Sequence, residues 1–449
     1  MNANKIGVVA AAVLMIVASL PASAQDSSIV VQCPTTTKLN PDGDGIKCDH
    51  LVAGDGMVTM ADNYPQYIFG FARLPLPGKS DPDQPGLGRA PTDPDEYATW
   101  TMQQGMLAAN APAPTIVVDE DDELFLSLTN VGMAMRPDLF DPHTVHWHGF
   151  PQASAVFDGV PDSSISINMG ATLTYYYNAK DAGTYMYHCH VEATEHMQMG
   201  MLGNLFVRPR QNKLPNKTSL YASFATNAAN VENGGTTPAP AEDTGAVHTT
   251  TAKYAYNDGD GTTAYDVEYP IQIQTFDPDF HDASLNVQPL PFADMDDRYF
   301  MLNGRGYPDT AVGVPLPATN DPMGTPHVSQ PVNSLVTAAP GDRILLRISN
   351  LSITDFFTIG TAGVTMEVVG LDARLLRDDA GTNMYYKTNS LTIGGGQSAD
   401  VIIDTRGPDE IKGTADDISG TYFLYSQNLD RLSNNNQNFG GMMTEIRIN

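Results

Sequence analysis

Six of the ten histidines in this 449-residue chain fall between positions 143 and 196. They read His143-Thr-Val-His146-Trp-His148-Gly149 and His188-Cys189-His190, followed by His196 and Met201. On an extended strand, residues two apart share a face. His146 with His148, and His188 with His190, therefore each project two imidazoles to one side, while Cys189 points to the other. One strand can thus serve two metal sites, which requires these segments to fold as strands.

Elsewhere the periodic segments are short, and Gly (39) and Pro (32) recur between them. Thr115-Ile-Val-Val, Leu124-Phe-Leu-Ser-Leu, Thr172-Leu-Thr-Tyr-Tyr-Tyr, Ile271-Gln-Ile-Gln-Thr-Phe, Ile344-Leu-Leu-Arg-Ile and Val401-Ile-Ile-Asp are rich in β-branched and aromatic residues. They predict strands packed in sandwiches with little helix, so the expected fold class is all-β. A polar stretch from about Asn227 to Thr251 reads as a linker or long loop and divides the chain into two β halves. The halves echo each other: Gly183-Thr-Tyr-Met-Tyr187 against Gly420-Thr-Tyr-Phe-Leu-Tyr425, and Leu126-Ser-Leu-Thr-Asn130 against Leu346-Arg-Ile-Ser-Asn350. Duplication of one ancestral sandwich is the simplest source.

At the N-terminus, Lys5 precedes an apolar run from Ile6 to Leu20, and Ala22-Ser23-Ala24 follows. This order predicts a secretory signal peptide removed after about Ala24, hence an exported protein with no membrane span in the mature chain. Three cysteines remain, and Cys33 with Cys48 could form a disulfide in an oxidising compartment. Between them, Asp42 and Asp44, with Asp49 just beyond, suggest a calcium loop, though the terminal glutamate of the full pattern is missing and a plain solvated turn is the alternative. The formal charge of −28 disfavours nucleic acid as a partner.

Thiolate, imidazoles and a weak thioether make up the ligand set of a blue-copper electron-transfer site. Cys189, His143, His196 and Met201 supply it, leaving the four alternate histidines for further copper ions. Zinc competes for Cys/His sites, but a single thiolate with a methionine favours copper. Met133, Met135, Met197 and Met199 offer either a soft copper(I) surface or core filling.

Pro112-Ala-Pro-Thr-Ile, His146-Trp-His-Gly, Phe157-Asp-Gly-Val-Pro161, Gly183-Thr-Tyr-Met-Tyr-His-Cys-His190 and Gly200-Met-Leu-Gly203 resemble the multicopper oxidases, which are built from cupredoxin domains. Met301-Leu-Asn-Gly-Arg-Gly-Tyr-Pro308, Pro340 to Asn350 and Val369-Gly-Leu-Asp372 extend the resemblance to the second half. It implies two tandem cupredoxin-like Greek-key β-sandwich domains. The expected layout is a signal peptide (1–24), an N-terminal extension (25–60), a copper-binding domain (61–210), a linker (211–260) and a second domain without copper motifs (261–449). The resemblance makes His143, Cys189, His196 and the axial Met201 type 1 copper ligands, His146 a type 2 ligand, and His148, His188 and His190 type 3 ligands. Asp158 matches an acid that assists proton delivery in the family, against its plain reading as a turn aspartate before glycine.

Two departures matter. His196 follows Cys189 by seven residues, longer than in laccases and shorter than in copper nitrite reductases, which points to a two-domain relative. The family's trinuclear cluster uses eight histidines, and this chain's first half offers four. In the second half the His-Cys-His position reads Ser426-Gln427-Asn428, and Ile353 to Ile359 contains no histidine; His248, His281 and His327 are isolated. A homo-oligomer or another protein would have to supply four more. The expected activity is oxidation of a small reductant, a metal ion or a redox partner protein at type 1 copper, coupled to dioxygen reduction at a cluster assembled with a second chain. A non-catalytic copper-binding electron carrier is the rival, and nitrite reduction at a type 2 site a third reading. The acidic surface favours cationic reductants.

Overall fold

The computed structural model describes residues 29–224, 237–317 and 327–449. The expected signal peptide lies outside these residues. No described helix is long and apolar enough to cross a membrane.

The first half is two four-stranded sheets. One runs Pro65–Arg73, Ile46–Thr59, Glu123–Gly132, Thr172–Asn178; the other runs Ala113–Asp119, Leu202–Arg208, Gly183–His188, His146–His148. Their inner faces close on Leu51, Phe69, Leu126, Trp147, Tyr175, Tyr187, Cys189 and Met201, all buried. The second half repeats this plan with a seven-stranded sheet and a five-stranded sheet. Val267–Phe276 pairs parallel to Arg343–Asn350 as Ile46–Thr59 pairs parallel to Glu123–Gly132. Gly420–Ser426 pairs with Phe357–Ala362 as Gly183–His188 pairs with His146–His148. Both sequence echoes thus fall on equivalent strands. Asn130 and Asn350 even share a task, each donating its amide across to a strand carbonyl, of Ile167 and Ile393.

Two expected boundaries need correction. Residues 46–59, placed in an N-terminal extension by the sequence, are a 14-residue strand inside the first sheet. Gly54, Asp55 and Gly56 interrupt its apolar pattern, yet the glycines are required there. A Cβ on Gly56 would stand 3.1 Å from Ala109. The 211–260 segment is no loose linker where it is described. Tyr256 and Asp258 are fully buried, Gln211 donates to Asp258 (2.7 Å), and Asn257 donates to Glu120 of the first half (2.6 Å). Its polar composition is satisfied by side-chain hydrogen bonds rather than by water.

The halves meet over buried charge. Arg347 pairs with Glu268 and Asp400 (both 3.2 Å), and Asp400 accepts from Thr184 across the boundary. At the N-terminus, the expected Cys33–Cys48 disulfide is formed. The segment it ties reaches the outer edge of the first sheet, where Gln32 N–H donates to Thr174 (3.4 Å).

Candidate metal centre

Strand register brings the four alternate histidines together. His146 lies opposite His188, and His148 opposite Met186. The rings of His146 and His188 are 5.2 Å apart, His146 and His190 5.1 Å, and His148 and His188 5.5 Å. Trp147 points the other way and stacks on Tyr177 at 4.0 Å in the core. The tautomers are set by carbonyls, which can only accept. His146 Nδ1 donates to Asp158 O (2.6 Å) and His188 Nδ1 to Cys189 O (2.7 Å), so Nε2 is the unprotonated nitrogen of each; that of His188 lies 3.3 Å from His148 Nδ1. Asp158 therefore meets His146 first through its backbone; its carboxylate lies 3.6 Å from the same nitrogen and is partly exposed.

These rings form one wall of a cavity of about 510 Å³. The chain's own second half forms the facing wall, with Leu351 to Phe356, Gly395 and Gly396, and Met197 lies between. Gly396 has φ +85°, and a Cβ there would come within 2.8 Å of His148 Nε2. No histidine stands on that wall. Ser426, Gln427 and Asn428 line an adjoining cavity with Asp355 and Arg431.

On the other face of the same strand, Cys189 Sγ lies 3.2 Å from His196 Nδ1 and 3.9 Å from His143 Nδ1. Three elements converge to hold them. His143 is bridged to Ile167 by paired backbone bonds (3.1 and 2.9 Å), and His196 rides on the helix Ala193–Gln198. Met201 donates its N–H to His196 O (2.8 Å) and accepts from Cys189 N–H (3.1 Å), and its thioether is buried in the same core.

Burial holds the imidazoles neutral. His143 is lowered well below the usual value, His188 to about 3 and His196 to about 4; His146 and His148 are lowered too. The same burial raises the Cys189 thiol to about 11. Neutral nitrogens with free lone pairs beside a soft sulfur are donors for a copper-type ion. The nitrogen that each of His143 and His196 turns toward the sulfur is Nδ1. The residues fit such an ion.

Among the described residues, three groupings of His, Cys, Asp and Glu could hold an ion: His143, Cys189 and His196; His146, His148 and His188; and Asp141, Glu192 and His196. Sequence reasoning missed the last, because Glu192 reaches His196 Nε2 (4.0 Å) only through a left-handed backbone, φ 45°. Other expectations fail. None of these groupings includes Asp42, Asp44 or Asp49, and the Asp49 carboxylate is forked by Arg73 (2.8–3.0 Å), so calcium is not supported. The methionines do not form one soft surface: Met133 and Met199 are core, Met135 packs on its edge, and Met197 lines the histidine cavity. His281 is buried between the carbonyls of Tyr67 and Gln198, and neither it, His248 nor His327 lines the cavity.

Residues 95–212 and 295–412 each match the multicopper oxidase family, together just over half of the chain. Among curated proteins, the multicopper oxidase MCE of Talaromyces pinophilus is 34% identical over 115 residues, 25% of this chain and 18% of the relative. Laccase-1 of Emericella nidulans is 35% identical over 105 residues, 23% of this chain and 16% of its own. The chain thus spans less than a fifth of the length of these two relatives. Among solved structures, the blue copper oxidase from Nitrosomonas europaea aligns over 90% of this chain and 86% of its own, with 20% identity and a TM-score of 0.55. The multicopper oxidase mgLAC gives the same coverages, 18% identity and a TM-score of 0.54. These likenesses establish the fold: tandem cupredoxin-like sandwiches. With both halves built on that plan and both matched in sequence, the chain belongs to the multicopper oxidase family.

Proposed function

We propose that this protein is an exported, copper-dependent oxidoreductase that takes electrons from a reductant at the Cys189 centre and passes them to dioxygen at the four-histidine cavity. The observation that carries this reading is the single strand end His188-Cys189-His190, which offers ligands to both centres on opposite faces. His143, Cys189, His196 and Met201 would hold the first copper, His146 the type 2 ion, and His148, His188 and His190 the type 3 ions. Bound copper supplies one-electron redox chemistry and reactivity toward oxygen.

The chain's own residues do the rest. Asp158 fixes the His146 ring through its carbonyl, and its partly exposed carboxylate is our candidate for passing protons inward. Asp141 and Glu192, beside the outward nitrogen of His196, favour a cationic reductant, a metal ion or a basic redox protein. The Cys33–Cys48 disulfide supports an oxidising, extracytoplasmic location.

A full eight-histidine cluster calls for a second chain. The grouping of His146, His148 and His188 within one chain favours a second reading, a centre with fewer coppers serving an electron carrier. The test is copper per chain, visible spectrum and oxygen uptake over a series of protein dilutions. Uptake that falls on dilution means a shared cluster, and uptake that does not means a centre within one chain. One blue copper per chain without uptake overturns the oxidase in favour of the carrier.

A further inference from the structure

The wall facing the four histidines brings no histidine, yet beside it the second half grips the first through the buried carboxylate of Asp297. Asp297 Oδ1 accepts from Gln198 Nε2 (2.8 Å), and Oδ2 accepts from the hydroxyls of Thr275 (2.6 Å) and Thr354. Thr275 Oγ1 is 2.9 Å from Ser352 Oγ, which lies 3.3 Å from Thr354 Oγ1. Gln198 ends the helix that carries His196 of the Cys189 centre and Met197 of the cavity. Ser352 and Thr354 belong to the facing wall of that cavity. The Gln198 carbonyl is held as well, 2.9 Å from His281 Nε2.

A carboxylate accepting three buried donors has little freedom, and charge-assisted bonds of this kind are the strong ones. We propose that Asp297 is a positioning residue that couples the two centres, setting His196 through Gln198 and the cavity wall through Thr354. In this molecule the second half acts on the metal centres by hydrogen bonds rather than by ligation. The inference rests on the copper reading above.

The test uses the full chain loaded with copper, read by the thiolate-to-copper band and by titration with azide, a small anion that reports on the histidine cavity. Asp297→Asn keeps the size but replaces one acceptor oxygen with a donor. It should shift the thiolate band and change azide affinity by about threefold to tenfold, the range for substitutions along coupled networks. Gln198→Met should move chiefly the band, and Thr354→Val chiefly the azide affinity. A lowered thermal midpoint with both signatures at wild-type values would overturn the proposal, leaving Asp297 a plain structural tie. If Asp297→Asn fails to fold, the two single-arm variants decide, and neither moving its own centre would also overturn it. Absence of a thiolate band in the wild-type protein would instead sink the copper reading itself.

Discussion

Burial places one proton on the Cys189 sulfur and leaves the rings of His143 and His196 without a second one at neutral pH. A metal entering this centre must displace the thiol proton and takes the nitrogens as they stand. Cobalt(II) titrated into metal-free protein at pH 7, in buffers of different ionisation enthalpy, should release about one proton per Cys189 centre. Cys189→Ser should abolish that release. Burial also lowers His50 and His188 to about 3. Below pH 6.5 the unfolded chain therefore binds protons that the folded chain refuses, so stability falls with pH from there toward 3. The slope is about 1.4 kcal/mol per pH unit for each such histidine. Glu195, raised to about 7, and buried Glu120 and Asp258 work the other way, so the check is a difference: between pH 7 and 5 the urea midpoint of the metal-free protein should fall more steeply than that of His50→Gln, and equal slopes would contradict a buried, neutral His50. The histidines and Cys189 were legible because a two-residue period alone assigns their faces. Asp297 was not, since its partners lie 99, 22 and 57 positions away and no local pattern joins them.

The triple glycine Gly394-Gly395-Gly396 is the element that lets the second half close on the first. A Cβ on Gly394 would enter the Phe356 ring, one on Gly395 the Ser352 carbonyl, and one on Gly396 the space beside His148. Gly396→Ala combines that clash with a left-handed backbone and should cost about 1–3 kcal/mol in urea unfolding. It should also weaken metal retention at the histidine cavity while leaving the Cys189 absorption in place. Strands such as Leu124 to Leu128 and Ile344 to Ile348 announced themselves by apolar runs. Ile46–Thr59 did not, because close packing demanded glycine where a strand pattern expects a β-branched residue. The 211–260 segment misled for the opposite reason: its polar side chains look solvated until Glu120 and Asp258 are seen to occupy them.

Across the whole molecule, the two sandwiches are joined by Arg347, fully buried with Glu268, Asp400 and the face of Phe206. Arg347→Met would strand buried Asp400 without its cation, while Glu268 keeps Arg208. Breaking a buried pair in this way costs about 3–5 kcal/mol, and urea unfolding followed by circular dichroism should then separate the halves into two steps. A single unshifted transition would mean that the halves hold together without it. The duplication was visible in two short echoes because both fall on equivalent strands of the repeated sheets. The tie at the N-terminus has its own consequence. The outer strand Thr172–Asn178 is a sheet edge, and Gln32, next to the Cys33–Cys48 bridge, reaches across to the Thr174 hydroxyl on it. An uncovered edge is a template for another chain. In a thiol-reducing medium the strap would lose its covalent anchor, and that edge would be left more open to pairing with a foreign strand.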